Sequence, residues 1–464
     1  MGAPVDGCGT ETKSFCSELE TIMPIPPYAS WMLEQEARAL LTRLARIKPF
    51  ALQESMLPAA NLLPDSQLAI ERFLTDGRKH LRVLVRRFLR WLHSPEGQRS
   101  DAEQAQRHFT ILRLRFNAVV THFDMFDNVI TQRSESETGL WLSGLDVVSA
   151  DALQLSQSYY KAPPVICYLD RGVGAAIRRA RTRMPGGGDN PVAIIKVPRE
   201  RMVGSGIASS LVHEVGHQAA ALLDLVESLR PILEERGRES LPEQQAWMLW
   251  KRWISEIVAD FWSIARVGIA STLGLMGVVS LPRAFVFRLN ADDPHPTPWI
   301  RVKLSAAIGQ ALYPQSSWDD LARLWEAYYP MKRLDEAQRR LLRLLESTIP
   351  ALVAVLVNHR PKAFHGRSLV DALDLGDRQP ARLRTLLDRW RSSPRQMYET
   401  APTIVFAAIG QGRVDGRITP EEESVVVGKL LGHWALQSTL QAAANCVVPL
   451  PTSAQPCGCH AALK

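Results

Sequence analysis

Two histidines and a glutamate stand close together in the stretch SLVHEVGHQ, residues 210–218. His213 and His217 are four residues apart, so on a helix their side chains share one face, about 5–6 Å apart at Cβ. Both imidazoles can then bind one metal ion, while Glu214 stands beside the ion rather than on it. In this HExxH arrangement the carboxylate takes a proton from an activated water. The stretch predicts a zinc site; three polar residues that merely share a helix are the alternative.

A catalytic zinc ion usually has three protein ligands and an open position, so a third ligand must come from elsewhere. Glu256 lies in the apolar helical stretch WKRWISEIVADFWSIARVG, where an unpaired buried carboxylate is costly. Asp260 lies one turn further along the same face and suits a contact to a ligand imidazole N–H. The alternative for both carboxylates is a salt bridge to one of three basic residues: Lys251, Arg252 and Arg266. The other acidic candidates lie in a charged stretch that is typical of a solvated surface: Glu227, Glu234, Glu235, Glu239 and Glu243.

HEVGH followed by an ExxxD helix resembles the gluzincin metallopeptidases, the thermolysin-like zincins whose third zinc ligand is a glutamate. The segment DDPHPTPWIRV is similar to the HPxxxxR segment of the CAAX-prenyl-protease-like and heat-shock membrane gluzincins. The resemblance implies that His295 lies at the cleft and stabilises the oxyanion, and that Arg301 bonds within the active-site shell. A purely structural His295 is the alternative.

The resemblance covers residues 164–305, and both helical flanks lie outside it. It implies that the strand VAIIKV, residues 192–197, lies at the cleft edge and pairs with an extended peptide substrate. It implies a zinc metalloendopeptidase, with Glu214 as general base and His213, His217 and Glu256 as metal ligands. A catalytically silent zincin-fold protein that binds a partner through its basic helical flanks is the alternative. The chain lacks the membrane spans of the best-known members, so a prenylated substrate is not implied.

The composition is that of a folded protein, since 46% of the 464 residues are hydrophobic and 22% are charged. The net charge of +7 is interleaved along the chain, which favours a broad basic surface, and no nucleic-acid-binding signature is present. Six cysteines are too sparse for a disulfide scaffold and fit a reducing cytoplasm. In the tail, Cys457, Cys459 and His460 make an incomplete zinc site, so a disordered tail is the favoured interpretation.

Two apolar or amphipathic segments raise the question of membrane contact. Residues 267–281 are uncharged but shorter than the roughly 20 residues that a bilayer requires, so they predict a buried wall. Residues 79–93 form a basic amphipathic helix, for which a membrane surface or an anionic polymer is the alternative. The favoured interpretation is that Leu81, Leu84, Phe88 and Leu92 form a stripe that faces the core, while the arginines are solvated. We therefore expect no transmembrane span, and peripheral membrane contact is not favoured.

The expected fold is mainly α (α+β), with a zincin-like core that combines a small sheet and the HExxH helix. Helical periodicity predicts an N-terminal helical domain over residues 31–155, after a flexible lead-in of residues 1–30. The β-branched runs PVICYL and NPVAIIKVP predict strands, with a helix GAAIRRARTRM between them. The core spans residues 156–308, a C-terminal helical region spans 309–445, and 446–464 form a flexible tail.

Overall fold

A computed structural model describes residues 24–47, 56–172, 174–185, 187–199, 204–290 and 293–446. The first helix begins at Pro27 and the last ends at Cys446. The predicted flexible ends therefore lie mostly outside the described residues, and so do the tail residues Cys457, Cys459 and His460.

The chain divides into two compact units, and both are mainly helical, as the sequence predicts. The smaller unit consists of Met1–Lys48 and Thr75–Val120, and the larger of Pro49–Leu74 and Thr121–Lys464. The division falls within the range 31–155 that the periodicity predicts as one helical domain. Two long helices, α2 (Pro64–Leu92) and α4 (Ala102–Ile130), each belong partly to one unit and partly to the other.

The smaller unit is a helical bundle in which a short helix, α3 (Pro95–Arg99), connects α2 to α4. Its elements are α1 (Pro27–Arg46), the second part of α2 (Pro64–Leu92), α3 (Pro95–Arg99) and the first part of α4 (Ala102–Ile130). Ser94 caps α3 by accepting a hydrogen bond from the Gly97 N–H at 3.2 Å. Leu81, Phe88 and Leu92 are buried in the core of this unit and Leu84 packs against it. The predicted core-facing stripe of residues 79–93 is therefore confirmed.

The larger unit contains a three-stranded sheet in the order β1-β3-β2, formed by β1 (Val165–Asp170), β2 (Ala176–Arg178) and β3 (Ala193–Pro198). β3 runs parallel to β1 and antiparallel to β2. Both predicted strands are confirmed. The expectation that VAIIKV is an edge strand is wrong, because β3 is the central strand and pairs with β1 on one side and with β2 on the other. β1 and β2 are the two edge strands.

The helix predicted for GAAIRRARTRM does not form. Its residues make the edge strand β2 and then a turn in which Arg181 has a φ of +62°. The Arg181 N–H donates to the carbonyl of Asn190 at 2.8 Å, and Ile177 pairs with Ile195 of β3. Pairing with a neighbouring strand therefore overrides the local helical preference.

The described part of the larger unit contains fourteen further helices: α5 (Ser136–Leu153), α6 (Ser205–Leu222), α7 (Leu225–Glu239), α8 (Gln244–Val267), α9 (Ile269–Val279), α10 (Arg283–Val286), α11 (Pro298–Leu312), α12 (Ser317–Tyr328), α13 (Glu336–Asn358), α14 (Leu369–Ala372), α15 (Pro380–Ser392), α16 (Arg395–Tyr398), α17 (Pro402–Val414) and α18 (Pro420–Cys446). Of these helices, α5 and α6 pack against the sheet. α8 is apolar on nearly every side from Trp253 to Val267 and is buried there, which makes it the central helix. α6 and α7 pack against α8, and α9 packs against α6.

The apolar segment 267–281 corresponds mainly to α9, most of whose residues are buried. Among the described residues, one helix, α13, has the length and apolarity to cross a membrane. Leu342, Leu345, Leu352 and Leu356 of α13 lie in the core of the larger unit, and 39% of the apolar window of this helix is buried.

Candidate metal centre

The two histidines of the HEVGH segment lie on α6, a helix buried on nearly every side. Leu211, Val212 and Val215 are buried around them. The ring centroids of His213 and His217 are 4.8 Å apart, and the ring planes are nearly perpendicular, at 86°. Their four-residue spacing therefore turns both rings toward the side on which α8 crosses.

Gly216 allows α6 and α8 to approach closely. A Cβ at this position would lie 2.9 Å from the Cα and from the carbonyl oxygen of Ala259. Backbone atoms cannot move aside as a flexible side chain can, so only glycine fits at this crossing. The close approach sets the distance between the imidazoles on α6 and the carboxylates on α8.

Glu256 on α8 places one carboxylate oxygen against each imidazole. Its Oε2 lies 3.2 Å from His213 Nε2, and its Oε1 lies 3.4 Å from His217 Nε2. One ligand atom from each of these three residues lies within 4.8 Å of the other two. The group has the spacing to hold a metal ion.

Asp260 contacts the His213 ring, and Arg301 in turn holds Asp260. Asp260 Oδ1 is 2.8 Å from His213 Nδ1, although the ring N–H points away from the ideal hydrogen-bond direction. Arg301, on α11, donates from Nε and Nη2 to the two carboxylate oxygens of Asp260, at 2.7 and 2.8 Å. Such a bidentate pair fixes both planar groups. Arg301 Nη2 also lies 3.8 Å from Glu256 Oε2.

His295 reaches the group from its open side, with half of its side chain exposed. Its Nε2 is 3.3 Å from Glu256 Oε2. Asp293 accepts hydrogen bonds from both the Nδ1 and the backbone N–H of His295, at 2.8 and 3.0 Å. Asp293 therefore holds the ring with Nε2 turned toward Glu256.

Glu214 is buried on α6 but has no hydrogen-bond or ion-pair partner among the described residues. Burial raises the pKa of Glu214, and the nearby imidazoles of His213 and His217 oppose that rise. A carboxylate in this situation is free to accept a proton and has a stronger tendency to do so than one in water.

The acidic side chains make the centre attractive to a cation. Burial alone would lower the pKa of His213, but Asp260 and Glu256 outweigh it and raise that pKa to about 9. Burial would raise the pKa values of Glu256 and Asp260, but hydrogen bonds and charges from His213, His217 and Arg301 hold both below their usual range. In the absence of a metal, a proton on His213 therefore balances part of the negative charge.

The basic residues that offered alternative salt bridges lie elsewhere. Lys251 pairs with Glu234 at 2.7 Å, Arg266 donates to the carbonyl of Asp151 at 2.7 Å, and Arg252 is exposed. The charged stretch 227–243 forms α7 and its following turn, where most of the acidic candidates are partly or fully exposed. Within the described chain, Glu256 and Asp260 have imidazoles and Arg301 as their partners.

The structure thus brings together the seven residues that the sequence assigns to the candidate catalytic site, but the sequence analysis missed three further residues that contribute to it. The seven are His213, Glu214, His217, Glu256, Asp260, His295 and Arg301. Gly216 was visible only as an unassigned position within HEVGH. Ser255 Oγ lies 3.4 Å from His217 Nδ1. Asp293 stands two residues before His295, a spacing that could have suggested it. Comparisons with protein-family models, curated proteins and solved structures find no match for this chain.

Proposed function

We propose that the protein is a zinc-dependent peptidase with a zincin-like catalytic core. The proposal rests chiefly on one observation, the convergence of His213, His217 and Glu256 with their ligand atoms within 4.8 Å of one another. The resemblance of the sequence to gluzincins, including the HPxxxxR segment, supports the same assignment.

The donor set suits zinc better than the harder divalent cations. Two imidazole nitrogens and one carboxylate are typical catalytic zinc ligands, whereas magnesium and calcium prefer oxygen donors throughout. With neutral imidazoles, the carboxylates of Glu214, Glu256 and Asp260 face one guanidinium, that of Arg301. The resulting formal charge of −2 favours a divalent cation.

Glu214 is the proposed general base. When bound, zinc supplies a Lewis acid and brings the pKa of water toward neutrality. Glu214 takes the proton of the attacking water and passes it to the leaving amine. Its free carboxylate and raised pKa suit both proton transfers.

His295 is the proposed oxyanion donor. It lies on the exposed side of the group, where a substrate carbonyl has access, and in its protonated form it would donate from Nε2. Asp293 limits rotation of the ring by accepting the hydrogen bond from Nδ1, and the bond from the backbone N–H of His295 holds the Asp293 carboxylate in place. Arg301 acts indirectly, by holding Asp260 against His213.

The edge strand β2 is the proposed site of main-chain recognition, in the role that the resemblance assigns to VAIIKV. The N–H of Ala180, just beyond β2, donates to Gln218 Oε1 at 2.8 Å. This bond ties the edge strand to α6 one residue after His217. An extended peptide could add to β2 on the side that faces away from β3.

Zinc content and turnover test this proposal together. Purified protein should contain one zinc per chain and cleave a quenched peptide library. Glu214→Gln should lower kcat by about 10²–10⁴-fold with unchanged zinc content, because it removes only the base. Glu235→Gln, an exposed carboxylate on α7, is the matched control and should retain full activity.

Two results would count against the proposal. Equal turnover by wild type and Glu214→Gln would remove Glu214 from the reaction. Zinc-loaded protein without turnover on any peptide would instead favour a catalytically silent binding protein.

A further inference from the structure

The positive charge of the protein is concentrated in the smaller unit. Its described residues, 24–47 and 75–120, contain 13 Lys and Arg against 6 Asp and Glu, a net charge of +7. The whole chain contains 55 against 48 and is also +7. All the remaining residues together are therefore neutral, and the basic character of the protein belongs to this one helical bundle.

The outward side of α2 carries a stripe of unpaired cations. Lys79, Arg86 and Arg90 recur at helical spacing and are exposed, opposite the buried stripe of Leu81, Phe88 and Leu92. No carboxylate of the described chain lies within 4.0 Å of any of these three cations, whereas Arg38 and Arg107 pair with glutamates. Unpaired cations side by side repel one another and favour an anionic partner.

Large apolar side chains are exposed on the same bundle. On α1, Tyr28 and Trp31 stack with ring centroids 5.4 Å apart, and Trp31 is 50% exposed. Val83 lies within the cationic stripe of α2 and is 59% exposed. On α4, Leu114 is 63% exposed. Val83 therefore places an exposed aliphatic side chain between the cations of the stripe, and Tyr28, Trp31 and Leu114 add apolar surface elsewhere on the bundle.

We infer that the smaller unit is a docking surface for an anionic lipid bilayer. Cationic side chains gain from the negative surface potential of such a bilayer, and Trp, Tyr and aliphatic side chains gain from its interface. Val83 and Leu114 would gain little from the phosphate backbone of a nucleic acid, so the apolar residues favour the membrane. The buried leucine stripe remains in the core, and the opposite side of α2 makes the contact. The inference does not depend on the proposed peptidase chemistry.

Vesicle co-sedimentation of the full chain tests this inference. The protein should bind vesicles of phosphatidylcholine with phosphatidylglycerol at about 0.1 M salt, and release them at about 1 M, where charge is screened within about 3 Å. It should bind vesicles of phosphatidylcholine alone far more weakly. Failure to discriminate between the two compositions would overturn the inference.

The double variant Arg86→Glu with Arg90→Glu identifies the surface. It should lower the partition coefficient by about 25-fold or more, because each cation near an anionic surface contributes a factor of about five. Arg252→Glu with Arg389→Glu, two exposed arginines on α8 and α15 of the larger unit, is the matched control and should change binding less than twofold. Equal losses from both pairs would overturn the assignment to α2.

The apolar contribution and the rival partner are tested separately. Trp31→Ser should weaken vesicle binding at about 0.1 M salt, with circular dichroism showing that the bundle remains folded. Fluorescence anisotropy with a labelled DNA duplex and a labelled single-stranded RNA measures binding to nucleic acids. Arginine-dependent binding to either of these, without binding to anionic vesicles, would replace the membrane by a nucleic acid and overturn the inference.

Discussion

Two clusters of buried charged side chains in the larger unit differ in composition and in access to solvent. The candidate metal centre joins His213, His217 and Glu256 next to a half-exposed His295. In the second cluster Arg133 and Asp146 pair at 2.8 Å, with both side chains 0% exposed. Asp146 accepts from the Cys167 N–H at 2.7 Å, and Arg133 donates to the Cys167 carbonyl at 3.1 Å. We call this second cluster the sealed pair.

The comparison shows that buried charge alone does not identify a functional site. The sealed pair balances one cation against one anion, is closed to solvent and anchors β1 through the backbone of Cys167. The metal centre has more carboxylates than guanidinium groups and is open on one side. Excess negative charge, imidazoles and solvent access together separate a cation site from a structural ion pair.

Loss of a ligand should distinguish the two clusters most strongly. Glu256→Ala should weaken zinc binding by well over about a hundredfold, because loss of an outer contact alone costs about 10–100-fold. Zinc titration against a chelator measures this change. Glu235→Ala, on the exposed surface of α7, should leave the affinity unchanged. Unaltered zinc content in Glu256→Ala would place the third ligand elsewhere.

Breaking the sealed pair should affect folding and leave zinc binding intact. Arg133→Met should lower the free energy of unfolding by about 3–5 kcal/mol, because it leaves a buried carboxylate without a partner. Burial already raises the pKa of Asp146 to about 6, against the attraction of Arg133. A pKa above the unfolded value means that stability is retained in acid and lost as pH rises through the folded pKa.

The penalty of Arg133→Met should therefore be smallest near pH 4 and grow above about pH 6. Chemical denaturation at both pH values measures it. The double variant Arg133→Met with Asp146→Leu should recover much of the loss, since it removes both charges. A double variant as unstable as Arg133→Met alone would contradict this account.

Zinc affinity should depend on pH, because protons compete with zinc for His213. The sealed pair binds no ligand and offers no such competition. His213 must be neutral to bind a metal, and without metal its pKa is raised to about 9. Below that pH, binding has to displace a proton, so affinity should fall by about tenfold per pH unit between about pH 9 and pH 7. Competition with a chelator of known pH dependence measures the slope. Affinity that is constant over this range would contradict the raised pKa.

Gly216→Ala should have the smallest effect and should act through packing. The added methyl group meets the backbone of Ala259, and overpacking of this kind costs about 1–3 kcal/mol of unfolding free energy. Separation of α6 from α8 should also weaken zinc binding, although every ligand is retained. Gly277→Ala is the matched control, because an added Cβ there meets nothing within 4 Å. Equal stability of the two variants would show that α6 and α8 do not require glycine at position 216.

Much of the fold could be predicted from the sequence because helical periodicity is a local property. The long helices α1, α2 and α4 follow directly from the spacing of apolar residues, and the β-branched runs predicted β1 and β3. The segment of β2 was mispredicted, because its residues favour a helix locally and become a strand only by pairing with β3. The division of α2 and α4 between two units has no local signal either, since both helices continue through it without a break.

The sequence by itself determined which residues could do chemistry. The four-residue spacing of His213 and His217 could be recognised without coordinates. So could the two carboxylates of α8, which are unusual because they lie in an otherwise apolar stretch. Only the tertiary structure decided that Glu256 faces both imidazoles, that Arg301 forms a bidentate pair with Asp260 and that Asp293 hydrogen-bonds the ring of His295. These contacts join residues far apart in the chain, and their distances depend on how closely α6 and α8 can pack at Gly216. Spacing along one helix is fixed by its geometry, whereas distance between helices is set by the packing of the whole core.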